Sequence, residues 1–131
     1  MRPAEAMVLH VPQKEGKGLI MAEPSTTARQ AFGDIAPDLA RYTDTVLFDE
    51  VWARPGLSQR DRCMITITCL IVLYRGNELG FHLRKALDTG VTREEIIEII
   101  THLAFYSGWP TASSALALAR QIFEDRKDAA S

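Results

Sequence analysis

The segment from Cys63 to Tyr74 constrains the fold more than any other part of the chain. It reads CMITITCLIVLY and would be apolar almost all round a helix, yet it is shorter than the roughly 20 residues that a membrane span requires. A helix of this kind has to lie inside a bundle, where other helices cover it. We therefore expect an all-α domain with this helix at its centre.

Capping signals divide the chain that surrounds this segment. Thr92 with Glu95 has the spacing of a capping box, and Ser58 offers the same start for the central helix. Thr89-Gly90 is typical of a helix end, whereas Pro110 is typical of a helix start. The predicted helices run over residues 58–74, 78–88, 93–107 and 110–125.

The N-terminal part is less regular. Residues 1–24 carry scattered Gly and Pro without a sustained period, and we interpret them as a flexible arm. Helix starts at Ser25 and Pro37 then open the domain, which spans residues 25–131. In the second of these helices the predicted apolar stripe, with Asp44 outside it, is Leu39, Tyr42, Val46 and Leu47. The prediction is a compact bundle of five to six helices.

Composition excludes some partners. The formal net charge is -2 and there is no Lys/Arg-rich block, which argues against nucleic acid. No run is apolar and long enough for a membrane helix or a signal peptide, so we expect a cytoplasmic protein. Small residues in the last helix, together with Phe105 and Trp109, indicate more apolar surface than one subunit would cover. A homo-oligomer is therefore expected.

Two mid-helix histidines are the candidates for chemistry. Glu78 precedes His82 by four residues, so a helix places both on one face, and a carboxylate neighbour is expected to raise the imidazole pKa. Tyr106 follows His102 at the same spacing, beside the Gly108-Trp109-Pro110 break. For each pair the alternative is an ordinary helix contact or a satisfied core histidine. Glu78, His82 and His102 also offer a two-His, one-carboxylate metal set, although the spacing does not demand a metal.

These residues carry a family resemblance. The motifs W-x-R-P-G-L (residues 52–57), E-L-x-x-H (78–82), G-V-T-x-E-E-I (90–96) and H-x-x-x-Y-x-G-x-P (102–110) occur in the order found in 4-carboxymuconolactone decarboxylases. The likeness covers roughly residues 32–123. It implies an alkyl hydroperoxidase D-like helical fold that assembles into dimers, trimers or hexamers.

The resemblance also implies an activity. The family decarboxylates 4-carboxymuconolactone without a cofactor, in aromatic catabolism. In this chain His82, tuned by Glu78, would deliver the proton, and Arg54 or Arg62 would bind a substrate carboxylate. The pocket would be shaped by His102, Tyr106 and Trp109. A bulkier central helix and Trp109 depart from the family pattern, so the expected substrate is 4-carboxymuconolactone or a related small carboxylated lactone.

Two other functions stay open. Alkyl hydroperoxidase D-like proteins use a C-x-x-C before the histidine, but alignment on His82 puts Arg75 and Glu78 at those two positions. A redox role would then rest on Cys63, for which a small core residue is the alternative. A non-enzymatic helical oligomer of the same fold is the third hypothesis. It predicts that His82 and His102 are fully buried and mutually satisfied.

Overall fold

Helices make up most of the backbone in the computed structural model, which describes residues 8–9, 20–21 and 23–130 and the side chains of residues 23–127. The all-α prediction is confirmed. A two-residue ladder pairs β1 (Val8–Leu9) antiparallel with β2 (Ile20–Met21). Most of the proposed arm over residues 1–24 lies outside the described residues. No helix within residues 23–130 combines the length and apolarity that a bilayer span requires.

The backbone divides into two units, residues 1–58 and 59–131. The first contains α1 (Thr27–Phe32) and α2 (Pro37–Arg41), which continues without a break as a π-helical segment (Tyr42–Val51). Pro37 lies in the first turn of α2 as predicted, because the missing N–H of proline is not needed there.

The predicted faces of this second helix are wrong. Asp44, which we placed outside, is 5% exposed, since its carboxylate accepts hydrogen bonds from the start of α1. The i to i+5 winding of the π-helix also changes which residues share a face. The predicted apolar stripe instead stays at least 41% exposed in the isolated chain: Leu39, Tyr42, Val46 and Leu47.

The second unit is a four-helix arrangement that follows the predicted order. It consists of α3 (Gln59–Val72), α4 (Gly76–Asp88), α5 (Arg93–Ser107) and α6 (Trp109–Ala130). Helix α3 packs against the other three, and α6 packs against α4 and α5. The core residues recur at helical spacing: Cys63, Ile67, Ile71, Leu79, Leu83, Ala86, Ile96, Ile100, Ala115, Ala119 and Ile122.

Helix α3 is central but is not covered on all sides. Its buried stripe is narrow, whereas Ile65 is 56% and Val72 is 46% exposed. The alanines at positions 115 and 119 of α6 are buried, and their small side chains permit close packing of this helix on its neighbours. The single chain therefore leaves apolar surface on its central helix.

The helix ends test the capping predictions. Glu95 N donates to Thr92 Oγ1, and Thr92 N donates to the Glu95 carboxylate, both at 3.0 Å, so this capping box is confirmed. Gly90 ends α4 at φ 100°, as the glycine signal predicted. Other boundaries differ from the prediction: α3 ends at Val72 rather than Tyr74, and α4 begins at Gly76 rather than Glu78. Helix α6 begins at Trp109 rather than Pro110 and continues past Asp125.

Candidate functional site

The proposed acid and its carboxylate neighbour lie on α4. The buried residues Leu79 and Leu83 fix the rotation of this amphipathic helix. That rotation leaves His82 at the edge of the buried face, half-buried, with its Nδ1 atom shielded from solvent. Glu78 lies one turn earlier and is exposed, without a hydrogen bond or ion pair to any residue in 23–127. The shared face is as predicted, but the predicted pairing of the two groups is not formed.

The direction of the His82 pKa is opposite to our expectation. Burial lowers the pKa of His82 below its ordinary value of 6.5, and the positive charge of Lys85 lowers it further. Burial has this effect because the imidazolium loses hydration that the neutral ring hardly needs. Glu78 does not compensate, since its carboxylate remains in solvent. His82 is therefore a neutral imidazole near pH 7.

His102 and Tyr106 are together on α5, but they are not in the core. Their rings stack with centroids 4.9 Å apart and planes 29° apart, and Tyr106 is 77% exposed. His102 opens onto a cleft of about 400 Å³ between α3 and α5, beside Glu98 and Met64. Neither His82 nor His102 is fully buried in the single chain, whereas the non-enzymatic hypothesis predicts that both are fully buried in an oligomer.

The α5–α6 junction carries an exposed aromatic cluster. Gly108 ends α5 at φ 99°, and Trp109 begins α6 with 63% of its surface exposed. Phe105 packs edge to face on Trp109 at 5.1 Å between centroids, and is itself 73% exposed. Trp109 is thus placed at the surface with Tyr106 and Phe105, and it does not line the cleft at His102.

The two predicted carboxylate-binding arginines are in different units. Arg62 lies on α3 and is half-buried, with its Nε atom shielded from solvent. Arg54 follows the π-helical segment in the first unit and is exposed. The substrate-binding roles of both arginines stay predictions.

Sequence reasoning missed Arg75 as a candidate cation. It occupies the N-cap position of α4, is exposed, and forms no ion pair within residues 23–127. It lines a cavity of about 270 Å³ between the α3–α4 turn and α6, together with Tyr74 and Ser114. The sequence contained one indication of this role in the spacing of the residues. Arg75, Glu78 and His82 are at positions i, i+3 and i+7, which lie near one another on a helix.

The backbone of this turn is strained at Tyr74. Arg75 N donates to Leu70 O and Tyr74 N donates to Ile71 O, which is the Schellman pattern that ends α3. Tyr74 takes the position usually given to glycine, at φ 63°. A side chain there costs roughly 1–2 kcal/mol. Tyr74 is still 66% exposed, so burial offsets little of that cost.

The cysteines do not support redox chemistry. Cys63 is completely buried and accepts a hydrogen bond from Thr89 Oγ1 at 3.4 Å, whereas Cys69 is exposed on the same helix. Both are free thiols. Within the described part of the chain, no three His, Cys, Asp or Glu side chains converge as metal ligands. A dithiol mechanism therefore has no structural basis in the two cysteines.

Comparison with known proteins adds to this geometry. Residues 37–121 match the model of the carboxymuconolactone decarboxylase family. The chain is 37% identical over 92 residues to the 4-carboxymuconolactone decarboxylase of Acinetobacter baylyi, covering 70% of this chain and 69% of the relative. It is also 37% identical over 78 residues to a nitrosuccinic acid decarboxylase of Metarhizium robertsii, covering 60% of this chain and 54% of the relative.

Proposed function

The chain belongs to the carboxymuconolactone decarboxylase family, and we propose that it is a cofactor-free decarboxylase of 4-carboxymuconolactone or a related small carboxylated lactone. The family inferred from the motifs is confirmed, whereas the substrate is the proposal. The main support for this substrate class is the state of His82. Its imidazole is half-buried and neutral, and it lies one helical turn after the exposed Glu78.

The compounds in the relatives' names share a chemistry that this site can serve. Both are acids with two carboxyl groups, and each has an electron-withdrawing group, an unsaturated lactone or a nitro group, that can accept the electron pair left by CO₂. The bond to CO₂ breaks, the electron pair moves into that acceptor, and a carbon atom is then protonated. The protein has to bind anions, shield the reacting carbon and supply one proton.

His82 is suited to supply that proton only when substrate is bound. At rest the lowered pKa leaves the imidazole neutral. A bound carboxylate within roughly 4–6 Å favours the imidazolium, so the substrate raises the pKa and His82 takes up a proton. After CO₂ departs, the imidazolium gives this proton to the carbon. Because His82 is only half-buried, solvent can return a proton to the ring, and the exposed Glu78 carboxylate lies one turn away.

The test is an ultraviolet assay of 4-carboxymuconolactone turnover. We expect His82→Asn to lower kcat by about 10²- to 10⁴-fold, the usual contribution of a general acid, and Glu78→Gln to have a smaller effect. Asn77→Ala is the matched control, because Asn77 is exposed in the same helical turn. Unchanged turnover in His82→Asn would remove His82 from the mechanism. A folded wild type without turnover would refute the named substrate.

The proposal includes a homo-oligomer. Phe105, Tyr106 and Trp109 expose 73%, 77% and 63% of their surfaces, which is costly for aromatic side chains in water. A symmetric contact between copies would cover them. Light scattering should give a mass above one subunit, and Phe105→Ser should reduce it. A monomeric wild type at micromolar concentration contradicts this part. Aromatic catabolism and a cytoplasmic location remain predictions.

A further inference from the structure

The cavity at the α3–α4 turn, which we call the turn cavity, has the composition of an acid-binding site. Its polar groups are the guanidinium of Arg75 and the hydroxyls of Tyr74, Thr111 and Ser114, and its apolar wall includes Leu79. Its volume of about 270 Å³ is near the lower limit of small-molecule sites, roughly 300–1,000 Å³. One cation among hydroxyl groups fits a single carboxylate.

Tyr74 gives independent support for a binding site, because its side chain is mostly exposed and is not needed to fill the core. The equivalent position after α4 is Gly90, which adopts positive φ without a side chain. Tyr74 keeps its ring despite the left-handed backbone, and its hydroxyl lies 3.2 Å from Ser114 Oγ. Strained residues of this kind are concentrated at functional sites. The left-handed backbone at Tyr74 places the phenol hydroxyl at the cavity, beside Ser114.

Gly76 provides a second independent observation. It lines the same cavity, and a Cβ added there would meet no atom within 4 Å. Its φ is not in the left-handed region, so the backbone does not require glycine. The absence of a side chain leaves space directly above the first turn of α4, where unpaired backbone N–H groups favour an anion.

The turn cavity also has a fixed relation to His82. Arg75 is the N-cap of α4, and the seven residues from Arg75 to His82 correspond to about 10 Å along a helix. An acid held at Arg75 therefore has to extend along α4 to bring a second group near the imidazole.

We propose that the turn cavity binds the carboxylate of the substrate that does not react, with Arg75 as its bidentate partner and Tyr74 and Ser114 as hydrogen-bonding groups. This inference rests on the proposed decarboxylase function, since it assigns the second carboxylate of the same substrate. In this proposal Arg75, rather than Arg54 or Arg62, is the main residue that binds the substrate carboxylate. Arg75 and Tyr74 are then binding residues, and the reacting carboxylate lies farther along α4, toward His82.

Binding without turnover tests the proposal. The probe is muconolactone, which keeps one carboxylate but lacks the group lost as CO₂, and its methyl ester is the uncharged control. Titration calorimetry with wild-type protein should show binding of the acid and at least tenfold weaker binding of the ester. Arg75→Gln should weaken binding of the acid at least tenfold and leave the ester unaffected. Arg84→Gln, an exposed arginine on the same helix outside the cavity, should bind like wild type.

Two further variants separate binding from folding. Gly76→Ala should keep the wild-type melting temperature, because its methyl group meets open space, yet weaken binding of the acid severalfold. Tyr74→Phe should weaken binding about threefold or more without changing the backbone. Wild-type affinity in Arg75→Gln, or equal affinity for acid and ester, overturns the inference. If Arg75→Gln leaves decarboxylation unaffected, the inference is overturned and the proposed function stands. If binding depends on Arg75 but the wild type shows no turnover, the binding site is supported and 4-carboxymuconolactone is refuted as the substrate.

Discussion

Replacing Asp44 by alanine should destabilise the first unit strongly, although the residues proposed for catalysis belong to the second unit. Its Oδ1 accepts hydrogen bonds from Ser25 Oγ at 2.7 Å and Ala28 N at 2.9 Å, and its Oδ2 accepts one from Arg29 N at 2.9 Å. Thr26, at the N-cap of α1, makes no side-chain capping bond. Asp44 therefore caps α1 from another helix.

The magnitude follows from these bonds. A hydrogen bond to a charged group contributes about 1.5–3 kcal/mol, so the two backbone bonds alone give about 3 kcal/mol at the lower end of that range. Helix α1 has only six residues and is too short to persist without such support. Asp44→Asn should cost about half as much, because its amide oxygen still accepts while its NH₂ group faces an N–H donor.

The same contacts predict a pH dependence. Burial opposes ionisation of Asp44, but the hydrogen bonds from Ala28, Ser25 and Arg29 outweigh it, so the folded pKa lies below the ordinary value of 3.8. A lowered folded pKa means that the carboxylate stabilises the fold above pH 3.8. This contribution is lost as pH falls below 3.8 and through the folded pKa.

Urea unfolding followed by circular dichroism measures the free energy, and hydrogen exchange at the Ala28 and Arg29 amides locates the change. Asp34→Ala is the matched control, since Asp34 is exposed in the same unit and should cost under about 0.5 kcal/mol. The reasoning is refuted if Asp44→Ala costs no more than Asp34→Ala. It is also refuted if the loss of stability in acid is the same in Asp44→Ala and wild type.

Three other changes have expected outcomes. Thr92→Ala should lower the free energy of unfolding by about 1 kcal/mol in urea titrations, since it removes the capping bond to Glu95 N. Tyr74→Gly should raise the melting temperature slightly, because relief of about 1–2 kcal/mol of strain exceeds an entropy cost of about 0.5–1 kcal/mol. The pKa of His82 is lowered in the folded state, so the unfolded protein binds more protons below pH 6.5 and wild-type stability should fall there. In unfolding titrations at several pH values, His82→Asn should make the free energy of unfolding depend less on pH.

Local signals in the sequence determined the helices of the second unit. The Thr92–Glu95 box and the glycine at position 90 act within a few residues of themselves, so their effect can be inferred without knowing the fold. The boundaries that shifted, at Gly76 and Trp109, lie where a turn of the backbone competes with helix formation. The family resemblance also depended on motifs that are readable in order along the chain.

Tertiary structure alone decided which polar residues are buried and how the candidate site is formed. Asp44 is polar and was assigned to the surface, but donors from a different helix bring it inside. The His82 pKa falls because neighbouring elements desolvate the ring, and spacing to Glu78 contains no information about that burial. Arg75 is an unremarkable exposed arginine until α6 closes a cavity beside it. Local spacing determines which residues share a helix face, whereas solvent exclusion and contact depend on segments distant in sequence.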